Sequence, residues 1–130
     1  MAVITGPAFN DVFISYSRRD SNFVHQLVDA LERDGHDVWV DWEDIEYAED
    51  WWDRICGGIE SADNFIFILT PNSVRSSVCY DEVDYAVHNG KRIIPVLHQP
   101  LEDEDDFRQM HPAISQHNWL PFREDDVFDD

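Results

Sequence analysis

One acidic side chain, that of Glu82, lies where a carboxylate could do chemistry. It ends the segment Ser76–Glu82, which comes soon after the apolar run Phe65–Leu69. That run predicts a strand buried on both faces, and the residues after Ser77 predict a helix. Ligands of open α/β sheets bind beside the carboxyl ends of the strands, so a carboxylate early in this helix is a candidate site residue.

Helix geometry places Glu82 beside the buried face of this predicted helix. Four apolar side chains at helical spacing predict that face: Cys79, Val83, Ala86 and Val87. Glu82 lies about 40–60° around the axis from Cys79 and Ala86, whereas Asp81 points to solvent. We therefore expect partial desolvation of Glu82, which is typical of functional carboxylates. The alternative, an acid that stabilises the helix start, is weaker because Glu82 lies beyond the first turn if Ser77 is the N-cap.

Arg18 and Arg19 form a basic pair directly after the first predicted strand. The chain carries 28 acidic and only 9 basic residues, so a local positive charge at the end of a strand is unusual. Such a pair could bind a diphosphate through charge-assisted hydrogen bonds. A surface pair that neutralises Asp20 and its neighbours is the alternative.

Composition indicates one acidic globular domain. The 130 residues suffice for a single core, and the net charge of -19 repels nucleic acid and anionic membranes, so neither is an expected partner. Simple solubility or an acid-rich proteome would also explain this charge. The two cysteines form no disulfide framework, and no signal peptide or membrane-spanning stretch is recognisable. We therefore expect a cytoplasmic protein, and the spacing of the histidines predicts no metal site.

Strands and helices alternate along the chain. The predicted strands are Asp11–Ser15, Val38–Val40, Asn64–Thr70, Lys91–Leu97 and Trp119–Phe122. A first helix is expected to begin after a cap at Asp20 or Ser21 and to end before Gly35, a second begins at Trp51, and a third runs from about Val78 to Asn89 with Gly90 as its stop. Residues 41–50 are expected to form a loop, and residues 101–116 a loop with at most one short helix. This alternation predicts a flavodoxin-like α/β fold, a five-stranded parallel sheet with helices on both faces.

Two local features predict details of packing. Gly57 and Gly58 lie inside the second predicted helix, where each glycine costs roughly 1 kcal/mol relative to alanine. A close approach between this helix and the sheet would explain both. Pro95 lacks a backbone donor, which predicts a position near a sheet edge or a strand end.

The chain resembles the Toll/interleukin-1 receptor (TIR) domain family over nearly its whole length. Asp11–Ser17 resembles the first box of the family, and Gly35–Asp41 resembles its second strand and the entry to the BB loop. Ser76–Glu82 resembles the S-x-W-C-x-x-E segment that holds the glutamate of bacterial NAD-cleaving members, and Asn118–Trp119 resembles the third box. The resemblance implies one TIR domain in residues 1–130, matched over about 10–122. Residues 1–9 would be a leader and residues 123–130 an acidic end, with the last helix of the fold missing.

The resemblance implies an NAD+ nucleosidase that cleaves the nicotinamide–ribose bond and yields ADP-ribose or a cyclic isomer. Glu82 is the implied catalytic residue. The implied substrate-binding residues are Ser15, Tyr16, Arg18, Trp42 and Glu43. NAD+ would be the substrate, no cofactor is expected, and activity would follow assembly with other TIR domains through the BB loop in bacterial defence signalling. One carboxylate suffices for this bond, because nicotinamide leaves as a neutral molecule and needs no general acid.

Val78 is the main departure from the family pattern. The family has tryptophan at this position, four residues before the glutamate, as the expected stacking surface for nicotinamide. Trp42 or Tyr80 could replace that ring. The departure favours an alternative function, a non-catalytic module that docks other TIR domains through residues 44–50. A phosphoacceptor domain is not favoured, because the third strand ends in Leu69-Thr70-Pro71 and not in an aspartate.

Overall fold

The computed structural model describes residues 10–40, 51–116 and 119–121. In this part of the chain the strands form one parallel sheet in the order β2-β1-β3-β4-β5. The strands are β1 Asn10–Ser15, β2 Val38–Trp39, β3 Ala62–Leu69, β4 Arg92–Leu97 and β5 Leu120–Pro121. This order is that of a flavodoxin-like doubly wound fold, which confirms the predicted fold class.

The helices connect successive strands. They are α1 Ser21–Arg33, α2 Trp51–Ser61, α3 Pro71–Val74, α4 Ser77–His88, α5 Glu104–Gln109 and α6 Pro112–Ser115. A single 3-10 turn, Arg18–Asp20, precedes α1. None of the helices in the described ranges has the length and apolar character needed to cross a membrane.

Two apolar layers cover the two faces of the sheet. Because side chains alternate along a strand, β1 and β3 contribute to both layers. One layer packs under α2 and α4 and includes Phe13, Phe65, Phe67, Ile59, Val83 and Ala86. The other packs under α1 and includes Val12, Ile14, Ile66, Ile68, Val24 and Val28. The run Phe65–Leu69 is buried throughout, which confirms a central strand covered on both faces.

The predicted helix ends are confirmed, whereas one predicted cap is wrong. Gly35 and Gly90 adopt positive φ values of 88° and 67° one residue beyond the C-caps of α1 and α4, as glycine does at helix ends. The N-cap of α4 is Ser76 and not Ser77, because the Ser76 hydroxyl accepts the backbone N–H of Cys79 at 3.2 Å. With this cap Glu82 lies even further from the helix start.

The segment after β4 holds two short helices, where at most one was predicted. Both α5 and α6 are too short to produce a readable periodicity. The carboxylate of Asp106 anchors α5, since it is buried and accepts two hydrogen bonds from the Arg75 guanidinium at 2.8 and 3.0 Å. α6 begins at Pro112, after an N-cap at His111, which is the usual position of proline in a first turn.

Three packing predictions have mixed outcomes. A Cβ at Gly58 would lie 2.5 Å from Cε2 of Trp39, which confirms the close approach of α2 to the sheet, but a Cβ at Gly57 would meet nothing within 4 Å. Val87 is 41% exposed, so its place in the buried stripe was wrong. β4 is not an edge strand, since β5 pairs with Val96 and Leu97. The β5 ladder begins only after Pro95, which explains why proline is tolerated there.

Candidate active site

A cavity of about 270 Å³ opens at the carboxyl ends of β1 and β2, between α2 and α4. β1 and the loop after it contribute Phe13, Ile14 and the segment Tyr16–Arg19, whereas Ser15 does not line the cavity. β2 and α2 contribute Trp39, Trp51 and Ile55, and α4 with its cap contributes Ser76, Val78, Cys79 and Glu82. The cavity therefore occupies the edge of the sheet at which ligands of this architecture bind.

The carboxylate of Glu82 is buried in the wall of this cavity. Its residue is only 8% exposed, and Oε1 accepts a hydrogen bond from the Ser15 hydroxyl at 2.8 Å. Ser15 is the last residue of β1 and is itself 1% exposed. The sequence predicted a partly desolvated carboxylate at the border of the helix face. The end of the neighbouring strand completes its burial and fixes the orientation of the carboxylate.

Cys79 lies almost one helical turn before Glu82 and also lines the cavity. Burial, and after it the negative charge of Glu82, raises the pKa of the Cys79 thiol to about 12. A thiol in this state is neutral and a poor nucleophile. Its 2% exposure confirms the prediction that Cys79 is a core residue.

The basic pair faces the same cavity as Glu82. Arg18 and Arg19 both line it, and both are exposed residues of the turn that follows β1. The turn is held at its far end by Asp20, whose buried carboxylate accepts Thr70 Oγ1 at 2.6 Å and Asn72 Nδ2 at 3.2 Å. Asp20 occupies the N-cap position of α1, but its side chain caps no backbone N–H. The arginines are thus attached to a turn that the β3–α3 junction fixes.

The structure brings four of the predicted site residues together. Glu82, Tyr16 and Arg18 line the cavity, and Ser15 lies behind it as the partner of Glu82. Trp42 and Glu43 fall outside the described residues.

Tyr80 does not line this cavity, so it does not replace the missing tryptophan. The residue is 41% exposed, and its ring packs against the ring of His111, with 4.7 Å between the ring centroids. One residue after the buried Cys79, its side chain is rotated about 100° away from the cavity. Val78, in contrast, does line the cavity.

Sequence reasoning missed the aromatic wall formed by Trp39 and Trp51. Both residues were placed in their secondary-structure elements, but neither was assigned to the site. Trp39 stacks on Phe13 of the neighbouring strand, with centroids 4.8 Å apart and ring planes 13° apart. Trp39 lies at the carboxyl end of a strand next to β1, and this position would have indicated a site residue. The inference requires the strand order, which the sequence alone does not give.

A profile of the TIR domain family matches residues 12–130. The chain belongs to the TIR domain family. The match covers all the cavity-lining residues named above, including the helix that carries Glu82. The predicted family is therefore confirmed.

Relatives of this TIR domain include proteins named for NAD chemistry. A probable 2′ cyclic ADP-D-ribose synthase of Methanobrevibacter olleyae is 28% identical over 109 residues, which are 80% of this chain and 32% of the relative. An NAD(+) hydrolase of Caenorhabditis elegans is 33% identical over 101 residues, 71% of this chain and 10% of the relative. The chain thus spans about a third of the first relative and a tenth of the second.

A solved structure shows the same fold. The TIR domain of the Toll-related receptor TRR-2 from Hydra magnipapillata superposes with a TM-score of 0.71 at 23% identity, over 87% of this chain and 84% of that one. At this identity the likeness shows the fold alone.

Proposed function

We propose that this TIR domain cleaves the nicotinamide–ribose bond of NAD+. The observation that carries the proposal is the buried carboxylate of Glu82 in the cavity wall, held by the Ser15 hydroxyl at 2.8 Å. Two relatives named as a probable 2′ cyclic ADP-D-ribose synthase and as an NAD(+) hydrolase support the substrate. The product is ADP-ribose or a cyclic isomer of it.

The chemistry requires a negative charge beside the ribose and no general acid. When the bond between the pyridinium nitrogen and C1′ breaks, its electron pair stays on nicotinamide, which leaves neutral. Positive charge then develops on the ribose, and a fixed carboxylate stabilises it. Attack on C1′ by water gives ADP-ribose and a proton, whereas attack by a hydroxyl group of the same ADP-ribose unit gives a cyclic product and a proton.

The remaining lining residues suit the rest of the dinucleotide. Arg18 and Arg19 place positive charge at the cavity, where they would bind the diphosphate through charge-assisted hydrogen bonds. Tyr16 offers an aromatic ring beside them. Contacts of Trp42 and Glu43 with the nucleotide are part of the proposal as well and rest on the family resemblance alone.

The test is nicotinamide release from NAD+, followed by chromatography, with the domain free in solution and clustered through an affinity tag on vesicles. Clustering is included because we propose that assembly through the BB loop activates the domain as an effector in bacterial defence signalling. Wild type is compared with Glu82→Gln and with Asp81→Asn, a matched neutralisation on an exposed neighbour in the same helix.

We expect release by wild type and by Asp81→Asn, and release slower on the order of 10²–10³-fold by Glu82→Gln. A Glu82→Gln variant that releases nicotinamide at the wild-type rate would remove the proposed role of Glu82. No release by folded, clustered wild type would contradict NAD+ cleavage altogether.

A second function, a non-catalytic module for docking other TIR domains, is favoured by one observation. The cavity wall contains the small aliphatic side chain of Val78 where NAD-cleaving members carry tryptophan. This alternative predicts concentration-dependent self-association in light scattering that is lost on replacing residues 44–50, together with no binding of NAD+ in calorimetry. Binding of NAD+ at the cavity would contradict this alternative and favour the enzymatic function.

A further inference from the structure

Trp39 is held in place by an unusually close contact with a helix. Its indole stacks on Phe13, which in turn stacks on Phe65, with centroid distances of 4.8 and 5.4 Å. The backbone of Gly58 in α2 lies against the same indole. A Cβ added there would lie 2.5 Å from Cε2, 2.6 Å from Cδ2 and 2.9 Å from Nε1. Since these are ring atoms and not the end of a flexible chain, only hydrogen fits at position 58.

The same indole forms part of the cavity wall. Trp39 and Glu82 line one cavity, and Trp51 and Phe13 extend its aromatic surface. The lining residues from α4 supply no aromatic ring, because position 78 is valine. The width of the space beside Glu82 therefore depends on where the indole of Trp39 lies.

We propose that Trp39 determines the size of the base that the cavity accepts and that Gly58 is a positioning residue acting through Trp39. The inference rests on the proposed NAD+ function. A side chain at position 58 would displace the indole. Phe13 blocks displacement along the aromatic stack, so the ring moves into the cavity and narrows it. Loss of the indole widens the cavity and admits bases larger than nicotinamide.

The chain offers a matched control for this test. Gly57 precedes Gly58 in the same helix, and a Cβ at position 57 would meet nothing within 4 Å. Gly57→Ala and Gly58→Ala thus change helix propensity equally, whereas only Gly58→Ala disturbs Trp39. The substrates are NAD+ and an NAD+ analogue with an alkyl group on the carboxamide nitrogen, assayed on the clustered domain.

We expect Gly58→Ala to raise KM for NAD+ roughly tenfold with kcat changed less than about threefold, since a misfit of one methyl group costs about this much. Gly57→Ala should match wild type. Trp39→Leu should reduce the preference for NAD+ over the alkylated analogue roughly tenfold. In the Trp39→Leu background, Gly58→Ala should have no further effect, because the ring that a Cβ would meet is gone.

Equilibrium binding of NAD+ and of nicotinamide, measured by calorimetry in the Glu82→Gln background, separates this inference from the proposed reaction. Weaker binding in Gly58→Ala but not in Gly57→Ala supports the inference even if wild type cleaves nothing. Equal behaviour of the two glycine variants overturns it and leaves NAD+ cleavage standing. Binding of neither compound overturns it too. If Gly58→Ala fails to fold, Trp39→Phe is used instead. A preference for NAD+ over the alkylated analogue that is the same in Trp39→Phe as in wild type overturns the inference.

Discussion

Two buried carboxylates lie at the same edge of the sheet and differ in what surrounds them. Asp20 is 6% exposed and Glu82 is 8% exposed. The two oxygens of Asp20 accept hydrogen bonds from Thr70 and Asn72, and Asp20 is not part of the cavity lining. Glu82 accepts the Ser15 hydroxyl and forms part of the wall of a cavity of about 270 Å³.

The comparison teaches that burial alone does not make a carboxylate functional. The buried carboxylate of Asp20 links the turn after β1 to the β3–α3 junction, to which both of its hydrogen-bond partners belong. Glu82 is buried beside a space large enough for part of a ligand. Under the proposed function, the first carboxylate contributes to stability and the second to catalysis, and the variants below test that division.

The largest expected effect is on turnover at Glu82. Glu82→Gln removes the charge that stabilises the developing cation, so kcat for NAD+ should fall on the order of 10²–10³-fold. Asp20→Asn is the equivalent neutralisation of the carboxylate that Thr70 and Asn72 hydrogen-bond, and it should change kcat less than about tenfold. Nicotinamide release by the clustered domain measures both. Equal losses of kcat in the two variants would contradict the division of roles between Glu82 and Asp20.

The next effect is on stability at Asp20. Asp20→Ala leaves the buried Thr70 hydroxyl and the Asn72 amide without this acceptor, which should lower the free energy of unfolding by about 2–3 kcal/mol. Glu82→Gln keeps a polar group of the same shape and should change it by less than about 1 kcal/mol. Urea denaturation followed by circular dichroism gives both values. A smaller loss in Asp20→Ala than in Glu82→Gln would reverse the assignment.

A smaller effect is expected at Ser15. Ser15→Ala removes the hydroxyl that orients the carboxylate of Glu82, so turnover should fall about tenfold, in line with the loss of one hydrogen bond of about 1–1.5 kcal/mol. Thr70→Ala is the parallel change beside Asp20 and should leave turnover near that of wild type. Comparison of the kcat values of the two variants shows whether a hydroxyl group that orients a carboxylate affects turnover only at the cavity.

The smallest effect concerns pH and Cys79. Its pKa is raised from 9.0 to about 12 by burial first and then by Glu82, while Asp20 contributes least of the causes. A raised thiol pKa stabilises the fold below about pH 9, and this contribution is lost as the pH rises towards 12. The free energy of unfolding should therefore fall by about 1 kcal/mol between about pH 9 and pH 10. Cys79→Ala should lack this decline, and the difference isolates Cys79 because Cys56 is present in both proteins.

The sequence predicted much of the fold because its signals are local. Apolar runs and helical spacing located β1, β3, β4 and the three longest helices, and glycine marked the ends of α1 and α4. The short helices were missed or undercounted, since four to six residues give no periodicity. Val87 was misplaced because helical spacing does not report what packs outside a helix.

The candidate site was predicted only in part, for a similar reason. Helix geometry located Glu82, and the charge pattern located Arg18. The hydrogen bond between Ser15 and Glu82 joins residues 67 positions apart, which no local pattern encodes. Trp51 lines the cavity and Tyr80 does not, and this difference likewise depends on which elements meet there.

By itself the sequence determined the fold class, the family resemblance and the candidate carboxylate, because periodicity, turn residues and short motifs act within a few residues of one another. Only the tertiary structure decided which buried carboxylate opens to a cavity and which is closed by its partners. It also decided that Trp39 and Gly58 touch, although they lie in different elements. Such contacts follow from the order of the strands and the packing of α2 and α4 over them. That order brings distant residues together through the burial of apolar side chains, an effect that is non-directional, so local spacing does not specify which elements become neighbours.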